Sequence, residues 1–448
     1  MRDLTQGREG KSILFFAIPM LIGNFFQIFN TLVDSIVVGN YIGKEALAAI
    51  GTSFPVIFAL ISLVIGVSGG ISIVISQYFG AKDLEKVKKS IDTAFIFLMG
   101  SSLVVAVIGI ALAPNIFSAL QLSEEVIPVA TTYMRIYLSG LIFTAGYNGA
   151  MAILRGLGDS RTPLYFLIIT SITNIILELI LIVGLKMGIQ GAAIATVGSQ
   201  VFGFFVSIIY LNRTHSLFDV RLTSMKFDKN IFSQSLRIGL PSGMQQVFVA
   251  MGMVALLRIV NKFGTDAMAA YTIAGRIDSF ASLPAMNFAM ALSAFTGQNI
   301  GAGKFDRVSN GLKSTLYMIS IIVVIMSVFI FLFSHSLMGM FTKDMEVVSI
   351  GTSYLKIVSI FYLMFSMMFA YTGVTRGAGD TLVPMFITLF SLWIIRIPVA
   401  WFLSARVGVE GIWWAIPIAW TIGMIASYAY YRTGKWKTKS VVQSNIEL

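Results

Sequence analysis

Cysteine is missing altogether, and histidine nearly so. The 448 residues contain no Cys and two His, His215 and His335, both in polar connections. That removes disulfides, thiolate metal sites and thiol catalysis, and it leaves a zinc centre or His-based catalysis with almost no material. Charge is scarce as well: Asp, Glu, Lys and Arg make up 12% of the chain, against about 25% in an average soluble domain. What is abundant is hydrocarbon. Hydrophobic residues reach 56%, above the usual ~45–50%, so the composition is that of a polytopic membrane protein. The N-terminal "MRDLTQGREGK" is charged, and the apolar run behind it is too long for a signal peptide, so it reads as a cytoplasmic tail leading into a first span.

A helix needs about 20 apolar residues to cross a bilayer. On that ruler the chain holds twelve spans, near 13–38, 50–78, 91–113, 128–154, 162–185, 190–212, 232–258, 267–297, 314–334, 347–374, 382–404 and 410–431. The expected fold is therefore all-α, with twelve transmembrane helices. The longest polar connection, "NRTHSLFDVRLTSMKFDKN", falls almost at the midpoint. It divides the chain into an N-terminal six-helix lobe (1–212), a cytoplasmic linker (213–230), a C-terminal six-helix lobe (231–431) and a cytoplasmic tail (432–448). Basic residues fall in alternate connections: Lys82, Lys86, Lys88 and Lys89; Arg213, Arg221, Lys226 and Lys229; Lys304, Arg307 and Lys313; Arg432, Lys435, Lys437 and Lys439. The intervening "PNIFSALQLSEEV" has none. Under the positive-inside rule both termini are cytoplasmic, in a plasma (inner) membrane protein. The net charge of +11 then reflects topology and anionic headgroups, and nucleic acid is not expected as a partner.

The sequence repeats itself. "QYFGAK" from Gln77 matches "QNIGAG" from Gln298, "RGLGD" from Arg155 matches "RGAGD" from Arg376, and Pro163 and Pro384 follow at the same distance. "EALAA" from Glu45 matches "DAMAA" from Asp266, "GIQGAA" from Gly188 echoes "GVEGIW" from Gly408, and Pro19 echoes Pro241. The offset stays within a residue of 221, as in 298 − 77 and 376 − 155. Duplicating six helices preserves orientation, so the expected halves are two pseudo-symmetric bundles about an axis along the membrane normal. Such bundles share a cavity suited to alternating access.

These paired Gln-x-x-Gly-Ala and Arg-Gly-x-Gly-Asp segments resemble those of the multidrug and toxic compound extrusion (MATE) family, and the resemblance covers essentially the whole chain. The Gly- and Arg-rich Asp motif of the other common twelve-helix transporters has no counterpart in "GAKDLEKVKKS". The resemblance implies the MATE-type fold and a secondary antiporter, not an enzyme. Such an antiporter exports organic, mostly cationic compounds in exchange for H+ or Na+. It implies no cofactor beyond the coupling ion, no structural metal, a lipid bilayer as surroundings and a monomer. Within the paired motifs, Arg155, Gly156, Gly158 and Asp159, with Arg376, Gly377, Gly379 and Asp380, read as hinge or turn residues, the glycines permitting a tight reversal.

Asp34 is the only acid in the first apolar run. At the centre of a membrane helix it would cost about 2.5–3.5 kcal/mol on insertion scales, so it should face protein or water, unless it lies near the outer interface and is simply hydrated. In the fifth span, "TSITNIILELILIVG" places Asn174 and Glu178 four apart and hence on one face. In the MATE family an Asp on the first span and an Asn-x-x-x-Asp/Glu pair on the fifth form a polar cluster with an Asn on the fourth and a Thr on the sixth. By that resemblance Asp34, Glu178, Asn174, Asn148 and Thr196 are the ion-coupling candidates, with Asp34 the principal acid. Where the family frequently has Asp, this chain has Glu178, one methylene longer. Two neighbouring acids repel when both are ionised, so one proton or one sodium ion should be retained between them. Oxygen-only ligands also suit a hard cation.

The seventh span, "GLPSGMQQVFVAMGMVALL", has no carboxylate, which departs from sodium-coupled members of the family. Gln245, Gln246, Asp278 and Met286 are the substrate-cavity candidates there, Asp278 either as a cation-attracting group or as a packed, ion-paired one. The 35 Phe and 23 Met supply adaptable and cation-attracting surface, although most such residues face lipid or packed helices. The alternative within the same superfamily is a flippase for a lipid-linked precursor. It would call for a cationic intramembrane cavity, and intramembrane Arg and Lys are few.

Overall fold

The computed structural model describes residues 2–119, 124, 126–214 and 225–442, and within its second helix the side chains of 44–49, 52, 54, 55 and 63 are not described. The Glu45–Ala49 half of one repeat pair, part of the 114–126 connection, and His215 and Arg221 in the linker thus lie outside the described side chains. Every described element is helical. Hydrocarbon offers the backbone no partner, so only a structure that bonds each N–H and C=O within itself is tolerated there.

Six elements carry the first half: α1 (Glu9–Tyr41), α2 (Lys44–Gly80), α3 (Leu84–Ala119), the pair α4 (Val126–Ser139) and α5 (Leu141–Gly156), α6 (Arg161–Glu178) continued by a π-helical turn over Leu179–Gly184, and α7 (Gly188–Thr214). The second half runs α8 (Lys229–Val260), α9 (Thr265–Gly301), α10 (Phe305–Gly339), the pair α11 (Met345–Ser359) and α12 (Tyr362–Gly377), α13 (Leu382–Leu389), a π-helical turn over Phe390–Arg396, α14 (Ile397–Val407) and α15 (Val409–Arg432). Nine of the described helices are long and apolar enough to cross a membrane, and two bent pairs bring the number to eleven. The twelfth by its place in the repeat is α9, 37 residues long, which mixes Arg276, Asp278, Asn287 and several Ser and Thr into its apolar sequence. The fourth and tenth spans are broken, by 52° between α4 and α5 and by 49° between α11 and α12.

Both halves pack by one scheme. In the first, α2 lies against α3, α4 and α5, α3 against α4 and α5, and α7 against α4, α5 and α6. In the second, α9 lies against α10, α11 and α12, α10 against α11 and α12, and α15 against α11, α12 and α14. The sequence repeat is therefore a repeat of packing. Each half has its own core, around Phe117, Met134 and Leu138 in one and Tyr354, Tyr362 and Trp413 in the other. The outward faces are apolar as well. On α10, Tyr317, Ile321, Val324, Ile325, Val328, Phe329, Leu332 and Phe333 are all exposed, a strip that water would not tolerate on a monomer and that hydrocarbon accommodates.

The compact units do not follow chain order. One comprises residues 1–3 and 18–243; the other comprises 4–17 and 244–448. The start of α1 thus belongs with the second half, and the start of α8 with the first. Polar contacts hold each borrowed segment in its unit. Leu4 N–H donates to Gln298 Oε1 (2.9 Å), Lys304 Nζ to Thr5 O (3.0 Å) and Arg307 Nη1 to Gly7 O (3.0 Å), while Arg307 pairs with Glu9 at 3.3 Å. In the other unit Tyr78 Oη donates to Gln234 Oε1 (2.9 Å), and Asp228 N–H donates to Thr93 Oγ1 (3.0 Å).

Candidate functional site

The polar side chains of α1 recur three to four residues apart, at Asn24, Gln27, Asn30 or Thr31, and Asp34, which lines them along one face. On α6 the same spacing stacks Thr170, Asn174 and Glu178, all buried, Glu178 with no exposed surface at all. Among the described hydrogen bonds one joins the two helices here: Asn30 Nδ2 donates to Asn174 Oδ1 at 2.9 Å. One turn further along, the Glu178 carboxyl faces the Asp34 carboxyl and the Asn174 amide. The α-helix ends at Glu178 and gives way to the π-helical turn, a local distortion that recurs at functional positions in helices. From α4, the buried Tyr133 lies near both acids.

The hydrogen-bond account of this cluster does not close. Neither oxygen of Glu178 receives a donor, Asn30 Oδ1 has none, and Asn174 Nδ2 finds no acceptor in bonding geometry. Three of the four open atoms are acceptors, beside a second carboxyl. Two carboxyls side by side repel one another when both are ionised. A proton or a small hard cation is the kind of partner that such acceptor-rich surroundings could take. Among the described residues no group of three or more His, Asp and Glu gathers as a metal site, so the cluster is an acid pair with amide support.

Asn148 and Thr196 are placed differently from these four. Asn148 is exposed and donates through Nδ2 to Thr144 O, 2.8 Å away in its own helix, and Thr196 Oγ1 donates to Ala192 O at 3.1 Å. Among the described hydrogen bonds none links either to the acids. Asn30 and Tyr133 are the neighbours that sequence reasoning missed. Asn30 had a signal, since it stands one helical turn before Asp34; Tyr133 had none.

In the second unit Gln245 is buried, and both ends of its amide are engaged: Nε2 donates to Thr388 Oγ1, and Oε1 accepts from Arg376. Gln246 and Met286 are exposed on α8 and α9. Asp278 Oδ2 accepts from Tyr354 Oη at 3.1 Å, with Tyr362 and Arg396 facing the same carboxyl.

The two loop motifs divide their labour among their residues. A Cβ on Gly156 would stand 2.6 Å from Ser72 O, and one on Gly377 would stand 2.3 Å from Ser293 O, so the first glycine of each motif is a close-packing residue. The second takes a positive φ, +81° at Gly158 and +95° at Gly379, and makes the turn. Asp159 then caps α6, its Oδ1 accepting from Arg161 N–H and Thr162 N–H at 3.0 Å each. Asp380 accepts from Val383 N–H (3.4 Å) and from the Tyr430 hydroxyl, while Arg376 turns instead to Gln245.

The MatE family model matches residues 19–180 and again 241–402, the two stretches displaced by 222 (241 − 19) and together covering most of the chain. The chain belongs to the MatE family. It is 34% identical over 442 residues to a probable multidrug resistance protein, YoeA, of Bacillus subtilis (strain 168), covering 97% of this chain and 95% of that one. It is 28% identical over 452 residues to the probable multidrug resistance protein NorM of Thermotoga maritima, with 96% and 94% covered. A crystal structure of MATE in the straight conformation superposes with a TM-score of 0.91 at 25% identity, covering 97% of this chain and 98% of that one. The outward-facing conformation of a multidrug resistance MATE family transporter of the MOP superfamily likewise gives 0.91 at 25% identity, with 97% and 98% covered. This MatE protein is thus an all-helical, multi-pass membrane protein built as a transporter and not as an enzyme.

Proposed function

We propose that the protein is a secondary active multidrug efflux antiporter. It exports organic, mostly cationic compounds by alternating access and takes H+ or Na+ in return at the pair Asp34–Glu178. Supporting the export reading, relatives of near-equal length are called multidrug resistance proteins. Supporting the exchange reading, a single observation carries the weight: two carboxyls from different helices share a buried site whose open atoms are mainly acceptors. Such a site is suited to a single shared positive charge. Asn174 and Asn30 hold the geometry, and Asp34, half-buried where Glu178 is sealed, is the acid through which the ion enters. The ion is cargo, and no resident cofactor enters the cycle.

The test is transport by protein reconstituted into vesicles, with an imposed proton or sodium gradient and ethidium as the organic cation. The wild type should accumulate ethidium under one of the two gradients, and Asp34→Asn should abolish that dependence while eluting as a folded monodisperse protein. Undiminished gradient-driven transport by Asp34→Asn would remove Asp34 from the coupling. Translocation of a lipid-linked precursor without any response to organic cations would replace efflux by flipping.

A further inference from the structure

The repeat also duplicates a charge that the acid pair does not use. Arg135 on α4 and Lys356 on α11 stand 221 residues apart (356 − 135), so a cation occupies one repeat position in both halves. Both side chains are exposed, as are Pro128 and Ser349 before them and Ser139 and Ile360 after them, at the same offset. The outward faces of α4 and α11 therefore coincide, and the buried Tyr133 and Tyr354, two residues earlier, are turned the other way. Arg135 leans on α3 through Nε, which donates to Ile110 O at 3.3 Å. Neither cation takes part in a described ion pair. The Glu410 carboxylate accepts from Ser353 Oγ, one turn before Lys356, at 2.6 Å.

What borders these cations is hydrocarbon. α3 exposes Val104, Ile108 and Leu112, and α10 exposes Ile325, Phe329 and Phe333 at the matching repeat positions. Because α4 packs on α3 and α11 on α10, each cation stands beside an outward apolar strip. Helix length gives its depth. α3 has 36 residues and α10 has 35, about 52–54 Å of helix for a hydrocarbon core of about 30 Å. Centred in the bilayer, each extends about 11–12 Å beyond the core at either end. Ile110 lies nine residues before the end of α3 (119 − 110), about 13–14 Å from it. Lys356 lies eleven residues after Met345 (356 − 345), and side chains lean toward the start of their helix. Both charges thus reach the boundary between hydrocarbon and headgroups, in the leaflet opposite the Lys82–Lys89 connection.

A cation at that level with no ion pair in the protein draws its partner from the membrane. We propose that Arg135 and Lys356 form two phospholipid sites, one in each half, in which the cation binds the lipid phosphate and the acyl chains lie along the strip of α3 or α10. Arg135 has Nε committed to Ile110 and offers its terminal nitrogens to two phosphate oxygens, whereas Lys356 acts as a point charge. Inorganic phosphate would meet the charge but not the strip. An anion that carries its own hydrocarbon meets both.

Native mass spectrometry of the full-length protein, stripped of lipid in detergent and titrated with phosphatidylglycerol, counts the bound molecules. At a fixed lipid concentration the count should fall by one in Arg135→Gln, by one in Lys356→Gln and by two in the double variant. Lys343→Gln, which removes an exposed cation from the α10–α11 connection on the same side, should leave the count unchanged. Arg135→Lys, which keeps the charge and loses the fork, should keep the lipid with about tenfold weaker binding. A second readout separates the halves. All six tryptophans, Trp393, Trp401, Trp413, Trp414, Trp420 and Trp436, lie in the second half, so the tryptophan-detected melting temperature follows the Lys356 site. Without lipid it should be the same in wild type and both variants, because exposed, unpaired side chains contribute little to stability. Phosphatidylglycerol should raise it in wild type and Arg135→Gln and raise it less in Lys356→Gln. A double variant that retains the wild-type count, or a Lys343→Gln that loses as much as Lys356→Gln, would overturn the proposal. Complete displacement of the two lipids by millimolar inorganic phosphate would reduce the sites to bare anion sites and overturn it as well. None of these measurements involves transport, so they stand whether or not the antiport reading does.

Discussion

Asn30 is the residue on which the geometry of the acid pair turns. It makes the one described hydrogen bond between α1 and α6 at this level, and it does so to the amide that faces Glu178. Replacing it by Ala removes a bond worth about 1 kcal/mol and leaves Asn174 Oδ1 buried without a donor, a penalty of about 1–3 kcal/mol. Asn30→Ala should therefore weaken the apparent affinity for the coupling ion about tenfold in vesicle assays, with ethidium binding little changed. Equal loss of ethidium and ion affinity would mean that Asn30 only holds the fold together. Asp34 and Glu178 were legible in the sequence because a carboxyl in an apolar run is rare on energetic grounds. Asn30 was less so, because α1 carries several amides in register and only a bond across helices distinguishes one of them. Tyr133 was invisible. Nothing local separates a tyrosine that faces an acid from the other fourteen among the 15 tyrosines of the chain.

At the scale of the element, the repeat was plain where glycines and prolines punctuate it and silent where the helix is deformed. "RGLGD" and "RGAGD" announced turns, yet only half of each motif turns the chain. Gly156 and Gly377 end helices that press against carbonyl oxygens of α2 and α9. Their role is one of contact across space, which no single segment encodes. Gly377→Ala, placing a methyl 2.3 Å from Ser293 O, should destabilise the protein by about 1–3 kcal/mol as overpacking does, and Gly156→Ala should do so comparably. Gly100→Ala, in a helix with nothing within 4 Å of the new methyl, should be neutral or stabilising by about 0.4–1 kcal/mol. Thermal unfolding in detergent separates the three, and equal midpoints for Gly377→Ala and Gly100→Ala would refute the packing role. The π-helical turns were not legible at all. "LILIVG" and "FSLWIIR" read as plain apolar helix, and nothing in either segment marks the wider turn.

For the whole molecule, two six-helix halves were readable from an offset of 221 because every repeated segment kept its register. Their exchange of helix starts was not readable. The chain's midpoint falls in a polar linker, and the break between units falls inside α8, after Gly243. The reason lies in the polar motifs. Gln298 and Arg307 look like loop residues of the second half, but they hold Leu4, Gly7 and Glu9, far away in sequence. Leu4 is wholly buried there. Removing residues 2–7 would forfeit five described side chain to backbone bonds, those of Gln298 and Asn299 to Leu4, of Lys304 to Thr5 and of Arg307 to Leu4 and Gly7, each worth about 1 kcal/mol, and about 2 kcal/mol from the buried leucine. The loss should fall on the unit that contains 244–448, although the deleted residues precede the first helix of the other. Tryptophan fluorescence reports that unit alone, and hydrogen exchange along Leu84–Ala119 reports its counterpart. The deletion should lower the fluorescence-detected melting temperature by several degrees and leave protection of Leu84–Ala119 unchanged. Arg307→Gln should give a smaller shift in the same direction. If exchange along Leu84–Ala119 accelerated while the fluorescence transition stayed in place, the N-terminal segment would belong with the half it precedes, and the exchange of helix starts would have no energetic content.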